Sequence, residues 1–181
     1  MLRRLAIRVL SAGLIAGVGT GLSGCAVTDH SQGEAMLARD AKWALLPIVN
    51  HTDSPQAGLR AETIAEGLLR SRGVSGLLRY PPALNPETLF DPAERKVQED
   101  ALKWAREQGI RYALLGAVDE WRYKVGVDGE PAVGLALQVI DLQSGQVAWS
   151  SVAARSGWSR ESLAGVAQKL IREMLDTARL R

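Results

Sequence analysis

The sequence predicts an α/β fold, a mixed β-sheet covered by helices, with its elements in the order β-α-β-α-β-β-β-α. Three observations carry that expectation. A nearly continuous apolar run, KWALLPIV at Lys42 to Val49, has the pattern of a strand buried on both faces. Apolar residues at helical spacing follow it, and the same spacing returns twice. Between the second and third helices lie three long strand-like runs parted by short polar turns.

After the first strand, Ser54 and Pro55 read as an N-cap and a first-turn proline. Ala57, Ala61, Ile64, Ala65 and Leu68 follow at helical spacing, and Gly73 ends the helix. A short strand is expected over Gly76 to Tyr80, before a proline-rich connection. DPAE at Asp91 to Glu94 is the next helix start, with an Asp cap, a proline in the first turn and a glutamate three positions on. That helix turns Val97, Ala101, Trp104 and Ala105 inward and stops at Gly109. The runs Arg111 to Val125, Pro131 to Leu142 and Gln146 to Gly157 are separated by VDGEP and QSG, which predicts an antiparallel meander. The last helix, starting near Ser159, has a clean stripe of Leu163, Val166, Leu170, Ile171, Met174 and Ala178. There is no internal repeat and no low-complexity tract.

Ahead of this domain, MLRRLAIRVLSAGLIAGVGTGLSGC runs from a basic start through an apolar stretch to small residues and a cysteine, the form of a secretory signal. Its apolar part is too short and too rich in glycine for a membrane span. LSGC at Leu22 to Cys25 resembles the bacterial lipobox. That resemblance makes residues 1–24 a lipoprotein signal peptide and Cys25 the lipidated first residue, with palmitate among its acyl chains. Several chains together anchor firmly where one is marginal. Ala26 stands where an inner-membrane retention signal has Asp, so the sorting rule points to the outer membrane. Residues 25–40 are polar and small, and are read as a lipidated flexible tether; such a segment reaches about 50 Å when fully extended. Residues 41–181 suit a single α/β domain with a real core.

The chain has 22 basic and 20 acidic residues; Arg3, Arg4 and Arg8 lie in the leader, which leaves 19 against 20. A nucleic-acid partner therefore has no electrostatic support. Cys25 is the only cysteine, so no intrachain disulfide forms. With two histidines, His30 and His51, and no free thiol left, no zinc cluster assembles, and no cofactor is expected. Asn50, His51, Asp53 and Ser54 mimic a catalytic cluster, but their spacing fits a strand-to-helix loop whose polar side chains cap the helix. No nucleophile elbow, phosphate-binding loop or dinucleotide motif follows any strand.

VDEWRYKV at Val118 to Val125 joins two acids, two aromatics and two cations on one strand. Strict alternation puts Asp119 on the stripe of Ala113, Leu115, Ala117, Trp121 and Tyr123, and Glu120 on the opposite stripe with Arg122 and Lys124. Glu120 then reads as a solvated residue with a cationic neighbour. For Asp119 either the strand twists out of the core, giving it solvent or an Arg partner, or it faces a surface shared with another subunit. Adjacent acids on opposite faces argue against the paired carboxylates of a carbohydrate-cleaving enzyme. The five tryptophans outnumber the single phenylalanine. Trp43 and Trp104 fit core positions, whereas Trp121, Trp149 and Trp158 fall in the late meander, where either cross-strand packing or exposure at a membrane boundary suits an indole.

WALLPIVNHTDSPQAGLRAETI, the long segment ALKWAREQGIRYALLGAVDEWRYKVGVDGEPAVGLALQVIDLQSGQVAWS, and RSGWSRESLAGVAQKL resemble the PelC family, outer-membrane lipoproteins of bacterial Pel exopolysaccharide export. The resemblance covers nearly all of the mature domain. It implies a non-enzymatic subunit similar in fold to the periplasmic domains of TolB-like and curli-secretion lipoproteins. It also implies a homo-oligomeric ring on the periplasmic side of the outer membrane, working with the barrel and TPR protein PelB on a cationic polysaccharide. In that setting Asp119, and less directly Glu120, supply an acidic surface that guides the polymer, and Trp149 touches outer-membrane lipid beside Cys25. A curli-type secretion or envelope-binding lipoprotein is the alternative with the same fold, and needs no acidic ring.

Overall fold

The computed structural model describes residues 26–32, 36–81, 94–126 and 129–181. In chain order the elements are β1 (Ala26–Gln32), β2 (Trp43–Asn50), α1 (Ala57–Ser71), β3 (Leu77–Arg79), α2 (Glu94–Glu107), β4 (Tyr112–Tyr123), β5 (Pro131–Asp141), β6 (Gln146–Ser156) and α3 (Leu163–Asp176). They build one six-stranded sheet in the order β1-β6-β5-β4-β2-β3. The neighbours β3, β2 and β4 are parallel, and β4, β5, β6 and β1 run antiparallel. The α/β mixed sheet read from the sequence is present, with the predicted order running from β2 to α3. The leader, Cys25 and the Asp91–Ala93 part of the DPAE helix start lie outside the described residues.

Residues read as a flexible tether behave differently. Ala26–Gln32 is an edge strand, paired antiparallel to β6 from Ala26 opposite Arg155 to Gln32 opposite Trp149. An edge strand needs main-chain hydrogen bonds on one side only and tolerates polar side chains, so AVTDHSQ shows none of the apolar alternation that marks an inner strand. Further on, Leu37 is fully buried and bridges to Leu180, with its amide donating to Arg179 O at 2.9 Å. A single leucine in a polar stretch gives no periodic signal.

Two helices, α1 and α3, cover one face of the sheet, where Trp43, Tyr112, Leu114, Trp121 and Trp149 pack against Leu69, Leu170 and Met174. On the other face α2 brings Ala101 and Ala105 onto Ala44, Leu46, Ala113 and Leu115, with Trp104 edge-on to Tyr80 at 5.3 Å. Thus β2 is buried on both faces, as its continuous apolar run requires. Each such large side chain contributes on the order of 1.5–3 kcal/mol. Among the described residues no helix covers β6 and β1 on the α2 side, where Val152 and Val27 stand exposed.

Helix starts differ by a few residues from the sequence reading. Ser54 does not cap α1 with its side chain; the helix opens at Ala57 after Gln56, which takes a left-handed conformation with φ 58°. The start of α3 is delayed from Ser159 to Leu163, with Ser162 Oγ accepting from Gly165 N at 3.0 Å.

Candidate functional site

The site is built where β2 and β4 end side by side. Pro47 interrupts β2, and the pairing with β4 shifts between Leu45 and Ile48. The Ile48 amide turns instead to Glu62 Oε1 at 3.1 Å, and Glu62 Oε2 takes Arg79 Nη2 at 2.8 Å. Glu62 is only 5% exposed and closes this break from α1. Helix and strand are pressed together here: a Cβ on Gly58 would lie 2.0 Å from Ile48 O, so only glycine fits.

Beyond Asn50 the loop satisfies itself. Asn50 Oδ1 accepts from Thr52 N and Thr52 Oγ1, Asn50 Nδ2 donates to Ser54 O at 2.9 Å, and Thr52 Oγ1 accepts from Ser54 N. These side chains cap the loop rather than the helix, and Asp53 points into solvent with no such role. The His51 amide continues the ladder by donating to Val118 O at 2.9 Å.

That ladder delivers His51 to the other half of the site. In β4 Val118 pairs with Leu135 and Glu120 with Gly134, so Asp119 is the extra residue of a β-bulge. Its carboxylate Oδ1 meets His51 Nδ1 at 2.9 Å, with the side chains 52% and 45% exposed. A neutral imidazole with its proton on Nδ1 donates this bond, and a protonated one adds charge to it. Glu120 lies on the far side of the bulge, where Arg122 Nε donates to it at 3.0 Å. The expected cationic neighbour of Glu120 is therefore present.

The bulge overturns strict alternation. Trp121 leaves the stripe of Ala113 and Leu115 and joins Val118 in the core beneath α1 and α3, while Asp119, as the extra residue, has no partner in the ladder. Opposite faces consequently do not separate the two acids; their different partners, His51 and Arg122, do. The assignment of Trp149 to a membrane boundary is also overturned. Trp149 is fully buried, and its indole N–H donates to Thr177 Oγ1 at 2.9 Å, so it closes the end of the core over α3. Trp158, by contrast, is half exposed.

Sequence reasoning missed the His51–Asp119 and Glu62–Arg79 pairs. The second left a trace: a proline within an apolar strand marks an irregularity whose free amide needs an acceptor. Among the described residues no three His, Cys, Asp or Glu side chains gather as a metal site. A cavity of about 430 Å³ lined by Arg39, Arg72, Asp176 and Leu180 lies at the opposite end of the sheet. No described helix is long and apolar enough to cross a membrane.

These features define a mixed-sheet α/β domain that displays its polar groups on an open sheet end rather than enclosing them in a cleft. Neither a family model nor a curated protein matches the chain. Among solved structures, it is similar to the PelC dodecamer from Paraburkholderia phytofirmans, with 40% identity, a TM-score of 0.72, and coverage of 87% of this chain and 99% of that one. A substituted form of the same dodecamer gives 40% identity, a TM-score of 0.70, and coverage of 84% and 98%. The chain belongs to the PelC family.

Proposed function

We propose that this chain is a non-enzymatic lipoprotein subunit of a Pel exopolysaccharide export complex, acting as a homo-oligomeric ring at the periplasmic side of the outer membrane. The observation that carries the reading is the 40% identity, over nearly the whole of both chains, with a PelC that forms a dodecamer. Cys25 is the lipidated residue. The acidic surface at Asp119, with Glu120 beside it, guides a cationic polysaccharide toward the barrel protein PelB.

The physical basis is repetition. One half-exposed carboxylate is a weak site, because each exposed ion pair is worth about 0–1 kcal/mol. Cyclic symmetry turns it into a circle of like charges, which concentrates a polycation without trapping it. The exposure of Asp119 on a bulge supports this, since an acid on the regular apolar stripe would have faced the core. The exposed Val152 and Val27 offer an apolar surface for a neighbouring subunit.

Secreted Pel polymer in cells carrying Asp119→Ala tests the reading. Export should fall while the oligomer, sized after gentle extraction, stays intact. Unchanged export with an intact oligomer would remove Asp119 from the mechanism.

A further inference from the structure

The helices α1 and α3 end beside each other at the end of the sheet away from Asp119, and the cavity of about 430 Å³ opens there. Leu175, Ala178 and Leu180 give it an aliphatic wall, and Arg39, Arg72 and Asp176 give it charge. Arg72 is the C-cap of α1. Its Nη1 donates to Leu68 O at 3.2 Å and its Nη2 to Arg172 O at 3.0 Å, so one guanidinium serves carbonyls near the C-terminal end of both helices. The same Nη2 meets Asp176 Oδ1. These two side chains are 17% and 62% exposed, so the arginine is set into the wall while the acid stands mostly in water.

Arg39 is placed differently. Its amide donates to Arg181 O at 2.9 Å, a Cβ on Gly73 would touch its Cδ at 3.6 Å, and its Nη2 donates to Leu180 O at 3.0 Å. A guanidinium carries five N–H donors, and Arg39 has no carboxylate partner among the described residues. Lys42, Arg179 and Arg181 stand exposed on the two segments that the Leu37–Leu180 bridge joins, against Asp40. Cationic charge is thus in surplus beside an apolar wall.

We infer that this cavity binds an acidic segment of a partner protein, with an Asp or Glu carboxylate on Arg39 and Arg72 and an apolar neighbour of the same segment on the aliphatic wall. Asp176 gives the mode from within the chain, because a carboxylate already takes Arg72 from the solvent side. A partner's carboxylate exchanges with it and gains Arg39 as a second donor. A peptide uses both halves of the cavity, whereas a free phosphate uses the charge alone and leaves the aliphatic wall wet. A cationic polymer is repelled here, so the two ends of the domain select ligands of opposite charge, and binding at this end is independent of any polymer at Asp119.

Fluorescence anisotropy tests the site, with the mature full-length protein in mild detergent and a labelled peptide of repeating Glu-Leu-Asp. The peptide should bind, its counterpart with Lys for each acid should not, and sodium phosphate should displace it no better than sodium chloride of equal ionic strength. Arg39→Glu should weaken binding by about tenfold or more, because it removes a donor and adds a like charge. Asp176→Asn should tighten binding several-fold by removing the internal competitor, a gain that a misfolded variant does not produce. No binding by either the unaltered protein or Asp176→Asn, or binding indifferent to Arg39→Glu, would overturn the site. Preferential displacement by phosphate would reduce it to a simple anion site, and loss of the oligomer in Arg39→Glu would reassign the cavity to contact between copies of this chain; either result overturns the peptide ligand.

Discussion

Glu62 and Asp119 are both carboxylates at a break in strand pairing, and their surroundings set them apart. At the β2 break the orphaned Ile48 amide is buried, so Glu62 must enter the interior to satisfy it and needs Arg79 to balance its charge. At the β4 bulge the extra residue reaches water, and among the described residues Asp119 is held by an exposed imidazole. A strand irregularity in the interior thus demands a fixed polar partner, while one at a strand end leaves a side chain available for other work.

The largest expected effect lies on the buried side of that contrast. Glu62→Ala leaves the buried Ile48 amide without its acceptor and Arg79 with only the more distant Glu66 carboxylate at 3.8 Å, and should lower stability by about 3–5 kcal/mol in urea denaturation, with the slope unchanged. A loss under about 1 kcal/mol, the range of an exposed pair, would erase the distinction. Thr177→Val extends the buried class to a neutral contact: it strands the Trp149 indole N–H and should cost about 1–3 kcal/mol in thermal unfolding. Asp119→Asn belongs to the exposed class, and its loss should stay within about 1 kcal/mol and shrink further in salt. Deleting Asp119 sharpens the point, because it removes the extra residue of the bulge. Val118 and Trp121 should stay on the buried face, and the emission of Trp121 should not move to the red. The smallest effect is a pH dependence at Glu161. Its bond from Lys169, and then that from the Trp158 amide, hold the carboxyl below its ordinary value of 4.5. A lowered carboxyl contributes stability above its unfolded value and loses it as pH falls through the folded one. Acrylamide access to Trp158 should therefore be flat at neutral pH and rise only below the ordinary carboxyl range.

How much of this was legible in the sequence follows from which signals are periodic. The three helices, the meander and the doubly buried β2 each repeat a pattern over many residues, and each stands within a few residues of its expected place. Single events do not repeat. The bulge at Asp119 changes the phase of alternation once, so the faces read correctly as far as Val118 and wrongly from Trp121 onward. Asp119 was still the residue singled out, because an acid in an apolar stripe is a conflict whichever way the strand resolves it. His51, 68 residues away in sequence, came to it through strand pairing that no local pattern records. Trp149 and Trp158 share a residue type and a region, and only packing distinguishes the indole sealed over α3 from the one left outside. The β1 edge was missed because its pairing uses the main chain, on which side-chain composition has little bearing.

That edge strand changes the geometry of assembly. With acyl chains on Cys25, a subunit on a long leash would tumble and meet its neighbours in every orientation. If Cys25 is acylated as proposed, a subunit gripped beside the first residue of β1 would instead stand with its strands set against the bilayer and diffuse in a plane. Restricting both dimension and orientation raises the effective concentration of matching surfaces, so on that proposal contacts too weak to join subunits in solution would be enough to close a ring on the membrane.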